Sequence, residues 1–255
     1  FNIYLAHVGE CMSFGKTYTD IAVYLPLEDN WMRNRLPENQ KRPSANYFWE
    51  LQHVRFPEEL RGYHPLWISA ELLTTSKYEN SKLICGKAEF NSLYIDVEWL
   101  DEEALDEILR LALRGLPVFL KRFPKRPGFG ENSQYEKRVN ELMSLDNVSD
   151  SITTDPVVEG ENIPEFWVRV IEDDAVIFFA NPKSKELSYP VKYGQSFCEE
   201  TEEIKVTINL FGRKIQKTLV FSPYRSICLN LFGDVDFSCK EQDFVPSIPV
   251  RESGE

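Results

Sequence analysis

The sequence predicts an α/β domain followed by an all-β domain: a mostly parallel sheet covered by helices, then a small antiparallel β-sandwich. Three observations predict it. Five apolar residues run unbroken over 21–25 before Pro26, the pattern of a strand buried on both faces. Strand-like and helix-like segments then alternate to about residue 150, as parallel βαβ units require. Past Ser149 the period falls to two, with Ile204, Val206, Ile208 and Leu210 separated by polar residues.

Taken in order, Phe1, Tyr4, Leu5, Val8, Cys11 and Met12 fall at helical spacing before Gly15. They predict an amphipathic helix over 1–15, under way at the first residue and expected to continue from an upstream domain. Residues 16–150 then form the α/β domain and 151–255 the sandwich, with the boundary between Ser149 and Ile163. The strand over 21–25 opens into a loop expected from Glu28 to Pro43. Ser44 is placed to cap a helix whose stripe is Tyr47, Phe48, Leu51 and Val54, and 57–60 makes a second short helix closed by Gly62. A strand over 66–69, a helix over 70–78, a hairpin over 82–90 and a strand over 92–97 follow. Asp101 caps the clearest helix, with Glu102 and Glu103 at its positive end, Arg110 and Arg114 at its far end and Gly115 as its stop. A strand over 116–121 and a helix over 133–145 complete the domain. Beyond it, strands are predicted over 166–171, 175–180, 204–210, 215–221 and 226–232, with no helix.

Composition removes several functions. The formal charge of -12, spread along the chain, opposes a nucleic-acid binder, which needs clustered Lys and Arg. No stretch reaches the roughly 18 apolar residues that span a bilayer, so nothing is expected to be membrane-inserted. The five cysteines, Cys11, Cys85, Cys198, Cys228 and Cys239, show no C-x-x-C pair, so neither a disulfide framework nor a structural zinc site is expected, and each reads as a small buried or half-buried residue. His7, His53 and His64 have no metal-ligand spacing and read as structural. No metal and no cofactor are expected. The nucleophile motifs G-x-C-x-G and G-x-S-x-G are absent, Gly128-Phe129-Gly130 lacks the third glycine of a dinucleotide fingerprint, and there is no P-loop.

What remains is carboxylates beside aromatics: Glu28-Asp29-Asn30-Trp31, Trp49-Glu50 and Asp96-Val97-Glu98-Trp99. An aromatic ring can stack on a sugar face while a carboxylate binds hydroxyls. In a parallel sheet, Glu28, Asp29, Asn30, Trp31, Glu98 and Trp99 fall at the carboxyl ends of strands, where such sheets place ligands. Packing and capping are the competing roles for the same residues. The basic run over 121–126 is read as an anion site, as a solvated loop or as a contact to a neighbouring domain, and Asn147-Val148-Ser149 matches a glycosylation sequon.

The order of parts adds a resemblance. A helix ending at Gly15-Lys16 runs into Tyr18-Thr19-Asp20-Ile21-Ala22-Val23-Tyr24-Leu25-Pro26, and later Phe166-Trp167-Val168-Arg169 leads through an acidic turn to Ala175-Val176-Ile177-Phe178-Phe179-Ala180-Asn181-Pro182. This resembles the carboxyl-terminal half of large bacterial glycoside hydrolases, above all the α-L-rhamnosidase type, and microbial β-galactosidases with a trimerisation domain are similar in order. The resemblance implies an amidotransferase-like or flavodoxin-like α/β domain and a β-sandwich downstream of a catalytic barrel. It implies a periplasmic or extracellular protein, with no catalytic residue in this chain. The expected function is therefore a non-catalytic accessory portion of a glycoside hydrolase, whose partners are the barrel of the same polypeptide and an oligosaccharide. The alternatives are a self-contained carbohydrate-binding or interaction module, and an independent enzyme drawing its acid–base pair from Glu28, Glu50 and Glu98.

Overall fold

The structure, a computed structural model, describes residues 2–13, 15–32, 56–128, 133–172, 174–182, 201–222 and 226–231. In chain order its first elements are α1 (Asn2–Ser13), β1 (Lys16–Thr17), β2 (Ile21–Tyr24), α2 (Leu27–Met32), β3 (Leu66–Ile68), α3 (Ala70–Thr75), β4 (Lys77–Glu79), β5 (Lys82–Cys85) and β6 (Ala88–Phe90). There follow β7 (Ser92–Ile95), α4 (Glu102–Ala112), β8 (Val118–Leu120), α5 (Ser133–Met143), β9 (Val148–Ser149) and β10 (Val158–Gly160). The last are β11 (Phe166–Ile171), β12 (Asp174–Phe179), β13 (Glu202–Leu210), β14 (Arg213–Phe221) and β15 (Ile227–Asn230).

They divide into two compact units, Thr19–Asp155 and a second made of Phe1–Tyr18 with Pro156–Glu255. The linear division expected above set 1–15 apart and began the α/β domain at 16. The structure groups the first 18 residues with the β-rich unit, because β1 pairs antiparallel with β11 and the Tyr18 N–H donates to the Val168 carbonyl at 3.1 Å.

The unit Thr19–Asp155 is α/β. Its five-stranded sheet runs β3-β2-β7-β8-β9, parallel throughout, so the first two strands of this sheet, β2 and β3, are exchanged in space and the order reverses between β2 and β7. All four residues of β2 and of β7 are buried, as the unbroken apolar run required. Alternate residues divide between two cores. Ala22, Tyr24, Leu93, Ile95, Val118 and Leu120 pack beneath α3, α4 and α5, while Ile21, Val23, Tyr94 and Phe119 gather around Leu60 on the opposite face. Helix α4 follows its sequence signals closely: Asp101 is the N-cap, its Oδ2 accepting from the Glu103 N–H at 3.0 Å, and Gly115 closes the end at φ 99°. Beside the sheet, β4, β5 and β6 make a small antiparallel meander, so the helix expected over 70–78 ends at Thr75 and the chain turns into β4. Strand β9 carries no sequence signal of its own, yet it completes the sheet. Ahead of it Asn147 gives its Nδ2 to the carbonyls of Ala112 and Leu116, at 2.9 and 2.6 Å, which commits the nitrogen that a glycan would need.

The second unit is all-β, with two antiparallel sheets, β1-β11-β12-β15 and β10-β13-β14. Val168, Val170, Ile177 and Phe179 of the first sheet share one core with Ile204, Val206, Ile208, Leu219 and Phe221 of the second. The turn between β13 and β14 holds Phe211 at φ 52° and Gly212 at φ 72°, the left-handed pair that matches the strand twist. Cys11 is buried and disulfide-bonded, which corrects the expectation of unpaired cysteines, whereas Cys85 and Cys228 are free. Burial pushes the Cys228 thiol up to about 11.

Two positions make testable demands. Gly15 has φ 55°, and a Cβ there would lie 2.1 Å from the Val170 carbonyl oxygen. Gly15→Ala is expected to cost about 2 kcal/mol or more, read as a lower urea midpoint; an unchanged midpoint would show that β1 need not lie so close to β11. Asp20, 4% exposed, accepts the His64 backbone N–H on Oδ1 at 2.9 Å, while its Oδ2 is buried without a hydrogen-bond partner. Burial raises its pKa from 3.8 to about 7, against the pull of backbone N–H groups and Lys82. The folded state therefore favours the protonated acid. Stability from this group is full below pH 3.8 and is lost as pH rises towards 7, by up to about 4 kcal/mol. Asp20→Asn keeps the acceptor for His64 and is expected to flatten that decline between pH 4 and 7, measured by urea unfolding at each pH; a slope equal to the wild type counts against it.

Candidate functional site

The carboxyl ends of β2, β7 and β8 form one edge of the parallel sheet, and two of the three clusters singled out from the sequence assemble there. After β2 the chain passes Pro26 and forms α2 rather than the loop expected from Glu28 onward. Pro26 suits the start of a helix, and Glu28 and Asp29 in the first turn favour its positive end. The remainder of that expected loop and the helix expected from Ser44 lie outside the described residues, as do Trp49 and Glu50.

Glu28 and Asp29 are 5% and 7% exposed, and both point inward. Asp29 accepts the backbone N–H of Glu98 on both oxygens, at 3.0 and 3.1 Å, and that of Trp99 at 2.8 Å. Glu28 accepts the Tyr24 hydroxyl at 2.7 Å and the Asp101 N–H at 3.4 Å on Oε1, while its Oε2 is buried without a hydrogen-bond partner. In a capping box the third helical residue reaches back to the N-cap N–H. That residue in α4 is Ala104, and Glu28 supplies the carboxylate from another element. Burial, then the Glu28 acceptor and its charge, hold the Tyr24 hydroxyl protonated well above its ordinary range.

Two of the sequence-predicted clusters, Glu28–Trp31 and Glu98–Trp99, are thus brought together, with their roles divided. The buried acids hold backbone. Trp31, on the same short helix, projects with 74% of its surface exposed, and Asn30 is half-buried. Trp99 is half-buried, and Lys125 Nζ sits 5.5 Å from its ring centroid while pairing with Glu98 at 3.2 Å. One face of Trp99 is therefore taken by a cation, which leaves Trp31 as the open ring.

The basic run over 121–126 resolves into a strap. Its backbone follows the turn after β7, with Lys121 N–H to Ile95, Lys125 N–H to Glu98 and Leu100 N–H to Lys125. Arg122 pairs with Asp96 at 2.6 Å and Arg126 with Glu102 at 3.2 Å, and Lys121 binds Glu59 at 3.0 Å. These cations are matched within the unit and do not present an anion site. Sequence reading missed Tyr24, Glu59 and Tyr94, which it counted as apolar or passed over. Tyr94 donates to Glu59, and although burial works the other way, the bonds from Tyr94 and Lys121 hold the Glu59 carboxyl below its ordinary range. The four-residue spacing of Tyr24 and Glu28 was the one signal that could have found that pair.

Chemically, the edge offers a rigid support and exposed aromatic rings, Trp31 most open and Phe123 of the strap 43% exposed. Where the strand order reverses, an open parallel sheet commonly binds an anion on the backbone N–H groups of a following turn. Here the N–H groups of Glu98, Trp99 and Asp101 are occupied by internal carboxylates, so a phosphate would meet two buried acids. Among the described residues no group of three or more His, Cys, Asp or Glu could hold a metal ion, and no helix is long and apolar enough to cross a membrane. No protein-family model matches this chain, and no curated protein sequence matches it.

The division of roles can be measured. Asp29→Ala leaves two N–H groups without their charged acceptor and is expected to destabilise by about 2–3 kcal/mol. Glu28→Gln keeps an amide oxygen for the same donors and is expected to cost only about 1 kcal/mol. Chemical denaturation of both variants decides it: an Asp29→Ala loss no greater than that of Glu28→Gln would mean that Asp29 does not hold the turn.

Proposed function

We propose that this chain is the accessory carboxyl-terminal portion of a bacterial glycoside hydrolase of the α-L-rhamnosidase type, in which a flavodoxin- or amidotransferase-like domain supports a catalytic barrel and lends Trp31 to the rim of its sugar site. The observation that carries the reading is the placement of Trp31. A ring of that size, 74% exposed on a helix pinned by two buried acids, is an ordered apolar surface facing away from its own core. The parallel order β3-β2-β7-β8-β9 supports the domain type, since it is the order 2-1-3-4-5 of that doubly wound class. The antiparallel sandwich supports the order of parts on which the resemblance rests. A disulfide at Cys11 fits an oxidising compartment, periplasmic or extracellular. The partners of this reading are the barrel of the same polypeptide and an oligosaccharide. Acid–base chemistry from Glu28 is disfavoured, because its carboxylate is 5% exposed and committed to Tyr24 and Asp101.

The test is calorimetric titration with plant and bacterial oligosaccharides beside an aryl-glycoside assay. Binding without turnover, weakened about tenfold in Trp31→Ala, is the expected result. Hydrolysis of aryl glycosides by this chain at ordinary enzymatic rates overturns the accessory reading. Glycan binding that Trp31→Ala leaves unchanged removes the rim from it. The accessory reading expects only weak, roughly millimolar affinity from this chain alone, whereas micromolar affinity would favour the second reading, a self-contained carbohydrate-binding module, which the exposure of Trp31 also supports.

A further inference from the structure

The β-rich unit carries an open groove of about 610 Å³ over the sheet β10-β13-β14. That volume lies within the roughly 300–1,000 Å³ of small-ligand clefts. The register builds its floor in cross-strand rows: Glu159, Thr207 and Gln216 lie side by side, and Lys205 faces Thr218 in the next row on the same face. These side chains carry hydroxyl, amide, ammonium and carboxylate groups, so the floor both donates and accepts hydrogen bonds. The Glu159 carboxylate is held by Asn209 Nδ2 at 2.6 Å, with Lys214 Nζ 3.8 Å away. Asn209 is fixed in turn by the Pro156 carbonyl at 2.9 Å. Lys205, Thr207, Gln216 and Thr218 make no side-chain hydrogen bond to another described residue, which leaves their capacity open. At the groove's end Gly160 lets β10 lie close to β13, since a Cβ there would come within 2.7 Å of the Lys205 carbonyl oxygen.

The lining excludes other ligand classes. An apolar ligand would find hydroxyl, amide and charged side chains across the floor, because the Val206 side chain of the lining is buried in the core. An anionic polymer needs a stripe of cations, and the face of Thr207 and Gln216 sets Lys205 against Glu159, while Lys217 pairs with the core residue Val206 and points to the other face. Within a row the strand spacing sets neighbouring side chains about 4.8 Å apart, and such mixed donors and acceptors suit a ligand with a hydroxyl on nearly every carbon. We infer that this sheet face is a second glycan site, separate from Trp31, which takes an extended neutral oligosaccharide along the rows from Glu159 to Gln216.

The site is tested in the full chain carrying Trp31→Ala, so that the result does not depend on the proposed rim. Cellohexaose, xylohexaose and mannohexaose serve as probes in calorimetry, with heparin as the anionic control. Saturable binding of a neutral hexasaccharide is expected to persist in Trp31→Ala and to weaken about tenfold on adding Gln216→Ala or Glu159→Ala. Both residues are at the surface, and an unchanged Tm confirms that the fold is intact. Affinity unchanged by both substitutions overturns the inference, as does the absence of saturable binding by all three sugars. Tighter binding of heparin than of any neutral sugar overturns the ligand class. Failure of the Trp31 rim leaves this result untouched, because it is measured without Trp31.

Discussion

The α/β unit depends on two carboxylates that never reach solvent. Asp29 and Glu28 leave β2 on a short helix and take the backbone N–H groups of Glu98, Trp99 and Asp101, the groups that turn β7 into α4. Backbone donors in a tight turn at a buried sheet edge must find acceptors, and neutral partners would bind them more weakly. The same contact sets three things at once: the angle at which α4 leaves the sheet, the closure of the point where the strand order reverses, and the orientation of α2. Trp31 inherits its position from that last one.

A second layer of charge rests on the first. The strap over 121–126 copies the path of the clamped turn by backbone hydrogen bonds and then matches it acid for base, Arg122 to Asp96, Lys125 to Glu98 and Arg126 to Glu102. Exposed pairs of this kind contribute little singly, and their value here is positional. Arg138 draws the same network towards α5, binding both Glu102 and Asp106 and holding the Glu102 carboxyl below its ordinary range. The acid excess of the chain is thus partly used as a template for its basic loop, and that is why six consecutive residues rich in Lys and Arg do not make an anion site.

Much of this was legible in the sequence where the signal is local. The strand over 21–24, the helix capped by Asp101, the hairpin around Gly86 and the long strands β13 and β14 each announce themselves within a few residues. The long-range features were not. Nothing in Lys16 or Thr17 says that they pair with Arg169 and Val170, more than 150 residues away, so the first segment was assigned by its neighbours in sequence and not in space. Strand β9 is too short to show a period at all. The candidate site was legible by place and not by role. Carboxylates beside tryptophans at strand ends did meet on one edge, but whether an acid faces a ligand or a backbone amide is decided by burial, and a single sequence carries no term for the burial of an isolated Asp or Glu.

That distinction separates support from display in both units. At the sheet edge the acids turn inward and the neighbouring ring turns outward, so rigidity and exposure come from adjacent residues of one helix. On the sandwich the same separation follows from period two: Ile204, Val206 and Ile208 fill the core, and Lys205 and Thr207 between them face the open side. A side chain on such a scaffold meets a ligand without further ordering of its backbone, which lowers the entropy lost on binding. Rigid display of a few exposed groups is what a recognition surface requires. The acids at this edge serve the fold, Glu28 and Asp29 through backbone and tyrosine donors and Glu98 through Lys125.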